Sequence, residues 1–260
     1  MASDGGLLIP ENFPDVSHKL QSWKSLTFQE LAFEIFSLYI DDISPSDLKK
    51  LIQNSYSTFE HDLVTPVKKL KNLDILELYH GPTLAFKDVA LQFLGNTFEH
   101  ILAERNGKIN ILGATSGDTG SAAIQGVRGK KNINIFIMHP DGRTSPLQAL
   151  QMNSVLEDNV FNIAFDGSFD DCQELVKKSL LDEELKSKLG LNSANSINIS
   201  RLVAQVCYYF EAIAQLRKEK RATAHISVPS GNFGNVCAAM IGAVIGMPVG
   251  KLSATTNQND

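Results

Sequence analysis

The stretch KINILGATSGDTGSAA, residues 108–123, decides the fold. Its first half is a short apolar run bounded by turn residues, which reads as a buried strand. Ser116-Gly117-Asp118-Thr119-Gly120 then turns the chain, and small residues open a helix. The same unit recurs downstream. NINIFIM (132–138) leads to the helix SPLQALQMNSVL, and NVFNIAF (159–165) leads to a helix from SFDDCQELVKKSLL. HISVPSG (225–231), the helix NFGNVCAAMIGAVIG and the strand KLSATT repeat the alternation near the end. Strands alternating with helices predict an α/β fold with a parallel sheet and right-handed crossovers. In such sheets ligands sit beyond the carboxyl ends of the strands, where these turns fall.

Upstream the pattern is helical. Thr27 with Glu30 fits a capping box before FQELAFEIFSLYI, and Ser44 followed by Pro45 starts PSDLKKLIQNSYSTF. LDILELYH (73–80) then reads as a strand entering HGPTLAFKDVALQFLG (80–95). At helical spacing Lys87 shares a stripe with Leu84, Ala90, Leu91 and Leu94, the side a soluble protein buries. A polar stretch, GLNSANSINIS (190–200), precedes the long helix RLVAQVCYYFEAIAQLRKEK.

Composition narrows the function. The 260 residues carry a net charge of −5, which argues against a general nucleic-acid binder and leaves anion binding to local features. Cys172, Cys207 and Cys237 are odd in number and far apart, which suits a reducing compartment and gives neither a disulfide framework nor a metal site. The six histidines show no ligand pairing. VCAAMIGAVIGMPVG is broken by Gly and Pro and is too short to span a bilayer. The first residues, MASDGGLLIPENFP, lack the basic and apolar regions of a signal peptide, so the expectation is a cytoplasmic protein.

Three loops carry chemistry. In ATSGDTGSAA the N–H groups at the helix start favour an anion, and Ser116 and Thr119 add hydroxyl donors. The Walker A spacing is absent. Asp118 would repel a phosphate but tolerates a carboxylate beside a cation or a phenolic oxygen. In VPSGNFGNV (228–236) two glycines three apart let successive N–H groups converge into a phosphate nest. A capped turn and a tight βα connection would produce the same local patterns. The third loop carries Lys87. A lysine can snorkel out of an apolar stripe, but one held among Leu and Phe loses hydration and becomes a nucleophile toward a carbonyl. An amine, a phosphate cradle and a carboxylate clamp together fit pyridoxal 5′-phosphate and an amino-acid substrate.

The motifs HGPTLAFKD, ATSGDTG, NSANSINISR and VPSGNFGN, in this order, closely resemble the bacterial-type threonine synthase family, pyridoxal-phosphate enzymes of the tryptophan-synthase-β fold type. DGGLLIPENFP at the start and ATTNQND at the end extend the likeness over essentially the whole chain. The resemblance implies a two-lobed open parallel-sheet fold with a mostly helical N-terminal segment, residues 1–72. A catalytic domain, 73–260, would follow, with a small lobe of about 93–198 inserted in the large one and the cofactor between them. It implies conversion of O-phospho-L-homoserine and water to L-threonine and phosphate, the last step of threonine biosynthesis.

By the same resemblance Lys87 is the Schiff-base lysine and the later acid/base. Gly231, Asn232, Phe233, Gly234 and Asn235 match the loop that holds the cofactor phosphate. Ser116, Gly117, Asp118 and Thr119 match the loop facing the substrate carboxylate and the cofactor's 3′ oxygen. Related β-replacement enzymes carry Asn where Asp118 stands. For the substrate phosphate, Arg143 and Arg201 are the candidate cations, with Lys68 or Lys69 as outsiders. Surface ion pairing is the plain alternative for both arginines. Asn195, Ser196 and Asn198 would add neutral donors. The family continues beyond both ends of this sequence, so a truncated chain is expected, its C-terminal lobe lacking the hydroxyl that meets the pyridine nitrogen. The rivals are a serine/threonine dehydratase or cysteine synthase, which usually lack NSANSINISR, and a non-catalytic remnant binding phosphate or a partner protein. No nucleic-acid, membrane or metal partner is expected, and monomer or homodimer stays open.

Overall fold

A computed structural model describes residues 8–193, 199–218 and 223–257. In chain order the elements are α1 (Leu20–Trp23), α2 (Phe28–Phe36), α3 (Pro45–Tyr56), β1 (Val67–Lys69), β2 (Asp74–Leu76), α4 (Asp88–Glu104), β3 (Ile109–Ala114), α5 (Asp118–Val127) and β4 (Ile133–Pro140). They continue as α6 (Pro146–Asn153), β5 (Val160–Phe165), α7 (Phe169–Leu181), α8 (Glu183–Leu189), β6 (Leu191–Asn192), α9 (Ile199–Lys218), β7 (Ala224–Pro229), α10 (Gly234–Val244) and β8 (Val249–Thr255). They form two compact units, one of Gly81–Asn195 and one of Met1–His80 with Ser196–Asp260.

The contiguous unit is an α/β layer structure. Its four strands run parallel in the order β5-β4-β3-β6. Alternating side chains sort to opposite faces, as the period of two requires. Ile111, Ile133, Ile135 and Ile137 pack under α4 and α5 with Leu91, Leu94, Ala123, Ile124 and Val127. Ala114 and Met138 point the other way, toward Cys172 and Val176 of α7. Helices α4 and α5 approach so closely that a Cβ on Gly95 would stand 2.0 Å from the Gly126 carbonyl oxygen, so only glycine fits there.

The other unit joins the helices of the first 56 residues to the last quarter of the chain. The capping box of Thr27 and Glu30 opens α2, and the Ser44 hydroxyl accepts from the Asp47 N–H at α3. Helix α9 is buried on most of its circumference from Val203 to Ala214. Trp23 meets Phe210 edge-on at 5.5 Å. Strands β7 and β8 pair in parallel, while β1 and β2 form a small antiparallel ribbon. That ribbon corrects the strand expected over 73–80, which covers only Asp74–Leu76. The partner strand β1 and the short elements α1, α8 and β6 were missed, because each is too brief to show a period. Among the described residues no helix is long and apolar enough to cross a membrane.

Candidate functional site

Lys87 does not lie inside a helix. It is the N-cap of α4, and Leu84, expected on its buried stripe, is exposed with a left-handed φ of 60°. The loop before it is tied down by the buried Asp88. That carboxylate accepts from the Thr83 N–H at 2.8 Å and from the Thr83 hydroxyl at 2.7 Å. Burial raises the Asp88 carboxyl above its usual range, against the lowering effect of those Thr83 bonds. The acid that interrupts the apolar pattern therefore shapes the turn that presents Lys87.

The Lys87 side chain is 17% exposed. Its ammonium stands 4.7 Å from the centre of the Phe86 ring and 3.4 Å from Asp118 Oδ2. The Phe86 ring supplies part of the apolar surroundings expected for this amine, and an acid stands beside it as well. Asp118 is the first residue of α5, after Gly117 with φ 154°. Thr115, buried beneath the turn, accepts from the Gly117 and Gly120 N–H groups at 3.0 and 2.9 Å. With those two capped, the N–H groups of Ser116, Asp118 and Thr119 donate to no acceptor among the described residues. Ser116 is exposed and Thr119 half-buried.

Helix α6 braces both loops. Gln148 donates from Nε2 to Asp118 Oδ1, and its Oε1 accepts from the Ser145 hydroxyl at 2.8 Å. One turn on, Gln151 donates to the Thr83 carbonyl at 3.2 Å. The Gln148 side chain lies across Gly117, where a Cβ would come within 2.2 Å of its oxygen. Sequence reasoning missed Thr115, Gln148 and Gln151. The signal was present in the two glutamines three apart in PLQALQM, which share a helix face.

In the other unit, β7 ends at Pro229 and Ser230 to Phe233 turn into α10. The two-glycine argument needs correction. Neither Gly231 nor Gly234 has a positive φ; the left-handed residue is Phe233, at φ 54°, with its ring exposed. The glycines leave room instead, for a Cβ on Gly231 would meet nothing within 4 Å. The N–H groups of Gly231 to Val236 have no acceptor among the described residues, and Ser230 Oγ is buried without a partner. This is a donor-lined, open turn at a helix start. Asn235 turns its side-chain oxygen inward, where it accepts from the Tyr208 hydroxyl and, at 2.7 Å, from that of Tyr209.

The candidate cations differ. Arg201 is 3% exposed on α9, and burial lowers its guanidinium pKa to about 10. Arg143 is exposed in the turn after β4. Asp171, held below the usual carboxylate range chiefly by the Ser168 hydroxyl and N–H, also feels the charge of Arg143. Lys68 stands 3.9 Å from Glu77 and is mostly exposed, as is Lys69. Asn195, Ser196 and Asn198 lie outside the described residues.

The family described as "Pyridoxal-phosphate dependent enzyme" matches residues 59–254, across Lys87, the Asp118 turn and the Ser230 turn. The chain belongs to that family. The pattern described as "Threonine synthase N terminus" matches residues 1–56. The threonine synthase of Schizosaccharomyces pombe is 48% identical over 273 residues, covering 100% of this chain and 53% of that protein. Among solved structures, threonine synthase from yeast superposes with a TM-score of 0.93 at 46% identity, over 100% of this chain and 54% of that one. The pyridoxal-phosphate-bound threonine synthase of Brucella melitensis gives 0.92 at 40% identity, over 99% and 56%. The chain spans a little over half the length of these family relatives.

Two observations test the fit of the family's cofactor. The partly buried primary amine of Lys87 suits an aldehyde. The uncommitted N–H groups after Ser230, with the unpartnered Ser230 hydroxyl beside them, suit a phosphate. Both fit.

Proposed function

We propose that this chain carries the amine and the anion-binding turns of a threonine synthase, acting on O-phospho-L-homoserine and water to release L-threonine and phosphate. The observation that carries the reading is the match of residues 1–56 to the threonine synthase N terminus. That segment separates the reading from a dehydratase or cysteine synthase, which would share only the pyridoxal-phosphate region.

Pyridoxal phosphate, when bound, supplies an aldehyde and a ring that withdraws electrons from the substrate carbons. The chain's own residues do the rest. Lys87 provides the amine for that aldehyde and afterwards holds and delivers protons at Nζ, close to the substrate's α and β carbons. Asp118 fixes the position of that Nζ, and Gln148 fixes Asp118. The N–H groups of Ser116, Asp118 and Thr119, with the Ser116 and Thr119 hydroxyls, orient the substrate carboxylate. Asp118 stands 3.4 Å from the amine, which supports giving it the role of holding Nζ and leaving the substrate carboxylate to the N–H groups.

The N–H groups of Gly231, Asn232, Phe233, Gly234 and Asn235 hold the cofactor phosphate, joined by the Ser230 hydroxyl. Arg143 and Arg201 are the cations we assign to the substrate phosphate, Arg201 on the strength of the NSANSINISR motif that it closes. Asn195, Ser196 and Asn198 stay in the reading as neutral donors on the strength of the NSANSINISR motif. We place the protein in the cytoplasm, in keeping with its free cysteines.

The test is phosphate release from O-phospho-L-homoserine with pyridoxal phosphate added, beside 2-oxobutyrate and pyruvate production from threonine and serine. Phosphate and threonine in equal amounts support the reading. Oxo-acid production without phosphate release overturns it in favour of a dehydratase.

A further inference from the structure

We propose that Tyr208 and Tyr209 are positioning residues that hold the turn from Ser230 to Asn235 ready for a phosphate, by gripping the Asn235 side chain at the start of α10. This rests on the reading of that turn as the cofactor's phosphate site.

The turn has little to keep its own shape. Phe233, the N-cap of α10, is left-handed at φ 54° and caps nothing with its side chain. The N–H groups of Gly231 to Val236 have no acceptor among the described residues. Donors that converge on an empty centre repel one another, so such a nest keeps its form only where other elements hold it. Among the described residues two hydrogen-bonded ties do so. At the start of the turn the Ser230 N–H donates to the Thr255 carbonyl at 2.9 Å. At its far end Asn235 Oδ1 accepts from the Tyr208 hydroxyl and, at 2.7 Å, from the Tyr209 hydroxyl.

The second tie is specific. Neighbours on a helix point about 100° apart and ordinarily serve different partners. Here two of them meet at one oxygen, their ring centres 4.8 Å apart and their planes tilted by 56°. Tyr208 is fully buried and Tyr209 is 3% exposed. Burial raises both phenols above their usual range, so both stay protonated and remain donors. Gln205, three positions before Tyr208, donates to the Arg201 carbonyl at 2.9 Å and offers its own oxygen to the Tyr208 hydroxyl at 3.1 Å. Tyr208 has one proton for two acceptors, so Tyr209 is the firmer tie. Phenylalanine would fill the same space at either position; the hydroxyls serve Asn235 and Gln205.

The test compares pyridoxal phosphate with pyridoxal, which lacks the phosphate, by absorbance titration of the chain well below each variant's thermal midpoint. The ratio of the two affinities reads what the phosphate turn contributes, without turnover. The parent should bind the phosphorylated compound more tightly. Tyr209→Phe should weaken that binding about threefold to tenfold, the scale of one hydrogen bond, and leave pyridoxal unchanged. Asn235→Leu keeps the backbone N–H and loses the grip, so it should weaken pyridoxal phosphate at least as much. Adding Tyr209→Phe to Asn235→Leu should then cost nothing further.

Equal weakening of both compounds marks a merely structural role and overturns the proposal, as does an undiminished effect of Tyr209→Phe in the Asn235→Leu background. If the parent binds the two compounds equally, the phosphate reading of the turn fails and this proposal with it. A parent preference that survives in the variants overturns this proposal alone.

Discussion

Lys87 Nζ and Asp118 Oδ2 stand 3.4 Å apart, one at the N-cap of α4 and the other on the first residue of α5. The Asp118 side chain is 46% exposed, so the pair contributes about 1 kcal/mol or less to stability. Its consequence is positional. Two helix starts that emerge from different loops are brought to one point, and the amine can address only what stands beside both.

Replacing Lys87 by Ala should therefore separate chemistry from folding. Turnover is expected to fall on the order of 10³-fold, the scale of losing both a nucleophile and a positioned acid/base. The thermal midpoint should move little. Borohydride treatment with pyridoxal phosphate should leave a reduced adduct on Lys87 of the parent chain and none at that peptide in the variant.

Gln148 should behave as a positioning residue. In Gln148→Leu the Asp118 carboxylate loses the donor to its Oδ1 and keeps only Lys87 at Oδ2, and kcat is expected to fall about tenfold while KM changes less. A purely structural role would lower the melting temperature and leave the kcat of the folded fraction intact. Steady-state kinetics beside a thermal melt tells the two apart.

Two turn residues should respond in opposite directions. Gly117→Ala meets a φ of 154° and a Gln148 side chain 2.2 Å from the new Cβ, so a loss of about 2 kcal/mol or more is expected. Phe233→Gly relieves a left-handed φ of 54° while giving up an exposed ring, so stability should hold or rise by up to about 1 kcal/mol. Denaturant melts of both variants check the pair.

Glu211 provides the pH test. It is 2% exposed on α9; one oxygen accepts from Gln215 at 2.9 Å and the other has no partner. Burial raises its carboxyl above 4.5, outweighing Gln215 and then Lys218, which lower it. A carboxyl raised in the folded state contributes stability that is present below its unfolded value and lost as pH rises through the folded one. Glu211→Gln should accordingly be more stable than the parent at neutral pH and gain nothing below about pH 4. Urea midpoints across that range would show the difference closing as the acid protonates.

Much of this was readable in advance, for reasons that differ by element. Helices α2 and α3 announce themselves because Thr27, Glu30 and Ser44 bond to backbone within three residues, so capping is local chemistry. Strands β3, β4 and β5 are legible because short runs rich in Ile, Val and Phe, interrupted by Asn110, Asn134 and Asn162, stand between turn residues. Lys87 and Asp118 were each singled out from their motifs, but the Lys87 helix was drawn too early. The period of apolar residues runs through Leu84, while Thr83 is held outside the helix by its bonds to Asp88.

Local order along the chain thus decided where helices and strands begin, which residues turn inward and which turns offer N–H groups. Pairings between residues far apart in sequence belonged to the folded state alone. Gln148 reaches Asp118 across 30 positions, and Tyr208 and Tyr209 draw the Asn235 side chain away from the turn across 27 and 26. Hydrogen-bond partners of that kind depend on how helices pack, which no short window of sequence contains, and so the direction in which a polar side chain points emerged only in three dimensions.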